Sequence, residues 1–497
     1  MNQQVPIKTI AGATGRPVDR PSVPLVIDLD GTLCRTDTLH EQLFSLLTKT
    51  PLMLRHIPKW LIGGKALFKQ MVARHGIVDP TALPYDEDLL QFIQTQRAKG
   101  RQVVLVSASH HRQVEAVAAH LGVFDLSIGT GSLGIERNLR GEAKAAFLID
   151  VYGVGGFDYV GDDACDIPVW AAARKAYGIR LPYRIEAKAA SQGIVVKQIG
   201  KVRPSVSAAL VKACRPHQWA KNLLILLPVL SAQDVGAIPA ALFAMLCFSL
   251  AASAIYIVND LVDLASDRAH PRKRQRPFAS GAASVGHGLA LATLLLTASV
   301  TLATLLPAAF MIVLLAYLAA TSAYSFSLKR KMMVDVIALA SLYTLRIIAG
   351  SMATGISLSP WLMVFSMFLF FALATIKRQA ELEDMTLRGV EKTIGRNLIL
   401  SDLPILQSLS TSTMAASVLV FALYARDPDI GTHFAVPDLL LLICPILFLW
   451  LGRMQLMTRR GYMTDDPIVF TLRDRPSLIC GLSILLIFVA AAQGPFI

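Results

Sequence analysis

Apolar residues follow two different rhythms along the chain, and the change falls near residue 215. Before it, short continuous apolar runs at Pro24–Leu29, Gln102–Ser107 and Phe157–Val160 alternate with segments whose apolar positions have helical spacing. Short apolar runs between helical segments are how strands buried on both faces of a parallel sheet read, so a doubly wound α/β domain is predicted. In such folds reactive groups gather at the carboxyl ends of the strands. After residue 215, apolar stretches recur that approach the ~20 residues a bilayer-crossing helix needs. Nine all-α crossings are predicted, at 217–233, 238–258, 286–304, 306–325, 334–354, 360–376, 402–424, 436–452 and 477–495, the first of them short.

The predicted organisation is a disordered polar tail over 1–22, without the apolar run of a secretory signal, then a cytosolic α/β domain over 23–200. A basic linker over 201–214 and a membrane domain over 215–497 complete it. Composition agrees: of 497 residues 54% are hydrophobic and 17% charged, outside the range of soluble domains. The formal charge of +13 raises nucleic acid as a partner, but the basic residues sit between apolar runs, where positive charge marks the cytosolic side, so no nucleic-acid partner is expected. With the first domain inside, the cytosolic loops carry Arg268, Arg272, Lys273, Arg274 and Arg276, then Lys329, Arg330 and Lys331. Lys377, Arg378, Arg388, Lys392, Arg396, Arg453, Arg459, Arg460, Arg473 and Arg475 follow on the same side, whereas the external loops offer only Arg426. This predicts a bacterial inner-membrane protein, with a homo-oligomer left open. Six cysteines without C-x-x-C spacing predict reduced packing thiols.

Asp28-Leu29-Asp30-Gly31-Thr32 directly follows the first apolar strand. Two carboxylates in alternation emerge on one side of an extended strand, the arrangement that transfer through an aspartyl-phosphate needs: one nucleophile, one acid and base. This motif resembles that of the haloacid dehalogenase (HAD) superfamily of phosphatases, and the likeness runs from Pro24 to Arg180. It implies Asp28 and Asp30 as catalytic carboxylates, Ser107 as the phosphate-binding hydroxyl and Lys144 as the neutralising lysine. It further implies an Mg²⁺ site built from Asp28, the backbone of Asp30 and Asp162, with Asp166 supporting that shell. Read alone, Lys144 is an ordinary solvated helix charge. The helix-like insert between Thr32 and Ser107, with Arg55, Lys59, Lys65, Lys69 and Arg74, is expected to form a cap whose basic residues are either specificity groups or a solvated face.

In the membrane half, Asn259, Asp260, Asp263 and Asp267 recur at three- and four-residue spacing at the end of the second crossing, followed by His270-Pro271 and Arg276-Pro277. If the helix continues, these carboxylates share a face and repel one another unless a divalent cation lies between them. A diphosphate carried on Mg²⁺ fits, with Lys273 and Arg276 adding positive charge. The N-D-x-x-D-x-x-x-D pattern resembles the UbiA superfamily of membrane prenyltransferases. Arg215 to Asn222, Tyr324 to Lys329 with Asp335, and Lys377 to Leu382 narrow the likeness to its decaprenyl-phosphate phosphoribosyltransferase branch.

That branch implies phosphoribosyl diphosphate (PRPP) as donor and a polyprenyl phosphate such as decaprenyl phosphate as acceptor. It implies Mg²⁺–diphosphate on Asp260, Asp263 and Asp267, with Asn259 and Tyr324 at the substrate. Lys221, Lys329, Arg346, Lys377 and Arg378 are its candidate phosphate ligands, and Glu381 a further carboxylate near the metal. Arg346 also stands out because a charge within a crossing helix is costly unless it has a use. Glu381-Leu382-Glu383-Asp384-Met385 lacks the second D-x-x-x-D of the quinone-pathway members. Fusion to a phosphatase then implies removal of the 5-phosphate, giving polyprenyl-phosphoryl-ribose for cell-envelope glycans. An aromatic prenyltransferase with a fused phosphatase, an anchored phosphatase and a transporter remain the alternatives. Arg459, Arg460, Asp465 and Asp466 carry no reading beyond a cytosolic loop.

Overall fold

The computed structural model describes residues 23–62, 64–76, 78–132, 138–200, 205–389, 397–427, 434–463 and 466–493. The tail expected over 1–22, Lys392 and Arg396, and Asp465 lie outside the described residues. Contacts divide the chain into two units, one of Met1–Ala213 with Ile257–Leu291, the other of Cys214–Tyr256 with Ala292–Ile497.

In the first unit six strands form one sheet: β1 (Leu25–Ile27), β2 (Val103–His110), β3 (Leu126–Thr130), β4 (Asp158–Gly161), β5 (Lys175–Ile179) and β6 (Val196–Ile199). They are all parallel and ordered β3-β2-β1-β4-β5-β6. The order reverses between β1 and β4, where doubly wound sheets open a crevice at the strands' carboxyl ends. β1 is wholly buried because both faces are covered. Val26 packs with Val104, Tyr159, Leu148 and Trp170 on one side, while Leu25 and Ile27 pack with Leu105, Leu89, Ile93 and Val114 on the other. The three runs expected as strands are β1, β2 and β4; the edge strands β3 and β6 are only partly buried. The insert folds into helices Thr38–Lys49, Ile57–Ile62 and Gly64–His75, with Leu46, Trp60 and Val72 as their own small core.

Eight helices among the described residues are long and apolar enough to cross a bilayer: Val235–Val262, Val285–Ala303, Ala308–Phe326, Val334–Thr354, Pro360–Leu387, Leu400–Tyr424, Pro437–Arg459 and Arg475–Gln493. They correspond to the second through ninth expected crossings, and the protein is an integral membrane protein. The first expected crossing, 217–233, is instead a 3₁₀ segment, Pro216–Leu226, continued by a short helix, Leu227–Ala232. The 3₁₀ segment lies against helix Val334–Thr354 at Gly350, where an added Cβ would collide with the Ile225 carbonyl oxygen. Only glycine permits that approach of backbone to backbone. All six cysteines are free thiols.

Candidate active sites

Asp28 emerges from β1 beside Asp162 from β4, at the crevice where the strand order reverses. Asp28 Oδ1 accepts from Leu29 N (2.8 Å), and Oδ2 pairs with Lys144 Nζ (2.8 Å). Lys144 is 2% exposed on helix Glu142–Tyr152, so it is a buried partner and not a solvated charge. Its ammonium also donates to Tyr159 Oη (2.9 Å), which donates to Asp166 Oδ1 (2.8 Å). Burial pushes the Asp28 carboxyl up to about 7, the Lys144 charge offsetting only part of that cost. Burial alone would lower Lys144, but the carboxylates of Asp28 and Asp166 outweigh it and hold the ammonium above its ordinary value.

Asp30 accepts from Thr38 N (2.8 Å), Thr38 Oγ1 (2.7 Å), Ser109 Oγ (2.5 Å) and Ser107 Oγ (3.2 Å). Ser107 is therefore brought to the site, wholly buried, and Ser109 joins it as a hydroxyl the sequence did not single out. Asp162 Oδ1 accepts from Thr32 Oγ1 (2.8 Å), and Gly31, at φ +79°, leaves room for it; a Cβ there would collide with the Asp162 carboxylate. Asp166 Oδ2 accepts from the backbone N–H of Asp162 (3.0 Å) and Asp163 (3.1 Å), which makes it a brace for the β4 loop. From the cap, Lys69 reaches the Ala108 carbonyl and Asn138 Oδ1, both at 2.8 Å. Burial lowers its pKa, partly offset by Asp30 and Asp37.

The acidic motif lies at the end of helix Ile238–Val262, which stops at Val262 and restarts as Leu264–Ala269. The i→i−4 backbone bonds nevertheless continue across the break, Asp263 N to Asn259 O (2.9 Å) and Asp267 N to Asp263 O (2.8 Å). Arg276 Nη1 donates to Asp260 Oδ1 (3.2 Å) and Asp267 Oδ2 (2.6 Å), so these two carboxylates converge on one cationic group. Lys273 is exposed in the short Lys273–Gln275 turn, and Asn259 and Asp263 are half-buried.

The remaining predicted residues fall into two clusters of the second unit. Arg378, wholly buried, donates to Asp335 Oδ2 (2.7 Å), Glu381 Oε1 (2.7 Å) and Tyr324 Oη (2.6 Å). Its guanidinium joins helices Ala308–Phe326, Val334–Thr354 and Pro360–Arg388. Lys329 lies apart in the Leu328–Arg330 turn.

The second cluster centres on Asp466, a residue from which the sequence drew nothing. Its Oδ2 accepts from Lys221 (2.7 Å) and Lys377 (2.9 Å), and Tyr343 Oη donates to both carboxylate oxygens (2.9 and 3.0 Å). Arg346 stacks over the rings of Tyr343 and Tyr317 and donates to Asn222 Oδ1 (2.9 Å) and the Leu342 carbonyl. Burial raises the Asp466 carboxyl, but Lys221 and Lys377 together outweigh it and hold it well below the usual carboxylate range. One carboxylate against Lys221, Lys377 and Arg346 leaves the cluster with net positive charge.

Beside this cluster lies an apolar cavity of about 770 Å³. Its walls include Leu224, Ile347 and Leu373, which lie three or four residues from Lys221, Tyr343 and Lys377 on the same elements. The polar cluster is thus about one helical turn from the cavity wall.

A family model described as UbiA prenyltransferase family matches residues 223–473, half of the chain. The chain belongs to the UbiA prenyltransferase family. A second model, haloacid dehalogenase-like hydrolase, matches residues 25–170, so this UbiA member carries a fused HAD phosphatase domain. An uncharacterized protein, y4nM, of Sinorhizobium fredii is 37% identical over 476 residues, 94% of this chain and 91% of its own. Nodulation protein NoeC of Azorhizobium caulinodans is 33% identical over 283 residues, 56% of this chain and 92% of its own. Decaprenyl-phosphate phosphoribosyltransferase of Mycobacterium tuberculosis is 37% identical over 238 residues, 46% of this chain and 78% of its own.

Both UbiA and HAD sites would take Mg²⁺. No three His, Cys, Asp or Glu side chains form a preformed cage among the described residues. Mg²⁺ does not need one, since it keeps several waters and takes one or two carboxylates plus substrate phosphates. The space left for Asp162 by Gly31, and the convergence of Asp260 and Asp267 on the Arg276 guanidinium, fit that demand.

Proposed function

We propose that the membrane half transfers 5-phosphoribosyl from PRPP to a polyprenyl phosphate and that the HAD domain removes the 5-phosphate, leaving polyprenyl-phosphoryl-ribose. The observation that carries the acceptor reading is the cationic cluster of Lys221, Lys377 and Arg346, about one helical turn from the wall of the apolar cavity. An apolar chain with an anionic head suits both parts of it. The donor reading draws support from the 37% identity to decaprenyl-phosphate phosphoribosyltransferase.

In this reading Asp260, Asp263 and Asp267 would hold Mg²⁺ together with the donor diphosphate, and the metal would supply charge neutralisation for the leaving group. The bond from ribose C1 to the diphosphate oxygen breaks, its electron pair leaves with diphosphate, and an oxygen of the lipid phosphate bonds to C1. Lys221 and Lys377 exchange part of their contact with Asp466 for the lipid phosphate. At the phosphatase site Asp28 attacks the 5-phosphorus, and Asp30 protonates the departing ribose oxygen and then takes a proton from the water that hydrolyses the aspartyl-phosphate. Asp30 must trade its contacts with Thr38 and Ser109 for substrate to do so. Lys144 neutralises the phosphate held at Asp28 and Ser107. Tethering keeps the product of the first reaction near the second.

Both sites are read as cytosolic. A straight Pro216–Ala232 segment measures about 31 Å, because a 3₁₀ turn rises ~2.0 Å per residue, enough to make the ninth crossing that the positive loops require. Purified protein with Mg²⁺, decaprenyl phosphate and ribose-labelled PRPP tests the proposal. Label in lipid supports it. Label entering only from a prenyl diphosphate onto an aromatic acceptor would replace it with the alternative UbiA chemistry.

A further inference from the structure

We infer that the phosphatase domain is a positioning element for the transferase: Glu41, on its first helix, holds the loop that carries Asp267 and Arg276. The inference rests on reading the acidic motif as the diphosphate site. Arg268, the neighbour of Asp267, makes a two-pronged ion pair with Glu41 on helix Thr38–Lys49, Nη2 to Oε1 at 2.6 Å and Nη1 to Oε2 at 2.9 Å. Both side chains are buried, 9% and 3% exposed. Arg268 also donates to the carbonyls of Ala82 (3.0 Å) and Ala279 (3.2 Å). One guanidinium thus ties together the first helix, the Pro80–Ala82 turn and the stretch that follows Arg276.

A second contact lies close by. Gly281, at φ +73°, lies so near Arg35 that an added Cβ would come within 2.5 Å of the Arg35 Cβ. Ile257–Leu291 belongs to the same compact unit as the phosphatase residues.

The stretch from His270 to Ser284 contains one short 3₁₀ turn and no longer helix; its own turn bonds, such as Arg276 N to Lys273 O (2.9 Å) and Ser280 N to Arg276 O (2.9 Å), are local, so contacts from outside the stretch are needed to set where it lies relative to Asp260 and Asp267. A buried forked ion pair supplies direction as well as attraction, and removing either partner strands the other charge away from water. Thr38, three residues before Glu41, holds the Asp30 carboxylate. One turn of helix therefore serves the phosphatase site through Thr38 and the acidic motif through Glu41.

The test uses full-length Arg268→Gln, Glu41→Gln and the milder Arg268→Lys. It reads KM and kcat for PRPP, calorimetric affinity for Mg²⁺–pyrophosphate, p-nitrophenyl phosphate hydrolysis, and hydrogen exchange over 264–281. The expected result is an approximately tenfold or greater rise in PRPP KM, a matching loss of pyrophosphate affinity and faster exchange, with a smaller fall in kcat. Phosphatase turnover stays within about twofold, and Arg268→Lys falls between the wild type and Arg268→Gln. Unchanged PRPP KM and pyrophosphate affinity overturn the inference, whatever the exchange shows. If the Gln variants also lose phosphatase turnover, Arg268→Lys decides by the same two quantities. If the wild type takes no ribose from PRPP, the functional proposal fails by itself, and pyrophosphate affinity in wild type against Arg268→Lys still upholds or overturns the positioning role.

Discussion

Asp28 and Asp466 are both buried carboxylates paired with lysine, and they come out on opposite sides of the ordinary carboxylate range. Asp28 has one lysine, Lys144, and two repelling carboxylates, Asp166 and Asp30; burial wins, and its carboxyl is pushed up to about 7. Asp466 has Lys221 and Lys377 and the Tyr343 hydroxyl, the lysines win, and its carboxyl is held well down. One ammonium amid two other carboxylates falls short of the desolvation of Asp28, and two ammoniums exceed that of Asp466. The first arrangement leaves a carboxylate poised for a phosphate and a metal; the second fixes a charge permanently and uses it to position lysines.

The largest effect should come from removing the fixed charge. Asp466→Ala leaves Lys221, Lys377 and Arg346 facing one another without a counter-charge. It should cost about 3–5 kcal/mol of stability in detergent and roughly 100-fold or more in label transfer to lipid. A variant with near-normal melting and transfer would mean that Asp466 is not what orders the cluster.

Asp28→Asn should abolish hydrolysis at the HAD site, by about 10³-fold or more, while leaving transfer intact. It should also stabilise that domain in metal-free buffer, by an amount that depends on pH. A carboxyl raised in the folded state binds its proton more tightly there than in the unfolded chain, so its presence destabilises increasingly from about pH 4 up to about 7. The gain from the substitution should therefore be absent below about pH 4 and reach about 4 kcal/mol by pH 8. Asp466 has the opposite sign: its stabilisation is complete above about pH 4 and is lost only in acid, so between pH 5 and 8 its contribution should not vary. Thermal unfolding of Asp28→Asn and wild type across pH separates the two behaviours.

Smaller effects sharpen the membrane side. Gly350→Ala forces the 3₁₀ segment off its helix at Ile225 and should destabilise by about 1–3 kcal/mol, displacing Lys221 with it and raising the KM for lipid phosphate. Tyr343→Phe removes the hydroxyl bond to Asp466 but keeps both lysines, and should cost only about 1 kcal/mol and less than tenfold in transfer.

The same contrast decides what the sequence could reveal. Asp28, Ser107 and Asp162 follow β1, β2 and β4, whose apolar runs announce central strands, so the parallel sheet placed them together by position alone. Edge strands β3 and β6 were harder to read, since a half-buried strand of four or five residues carries little periodicity. The acidic motif was legible because its spacing is local. Asp466 was not: its partners lie 245, 123 and 89 positions away on three different elements, and nothing beside it repeats. Arg378 was legible as a charge in its segment, but its buried partners were not. Its own segment gave no sign that Asp335 and Tyr324 would converge on it.

The most direct test of the two-step account is the mass of the lipid formed from decaprenyl phosphate, Mg²⁺ and labelled PRPP by the wild type and by Asp28→Asn. The account predicts a ribose adduct from the wild type and a phosphoribose adduct accumulating in the variant. The same adduct from both proteins would contradict the coupling of the two sites, and no labelled lipid from either would contradict the transferase reading itself.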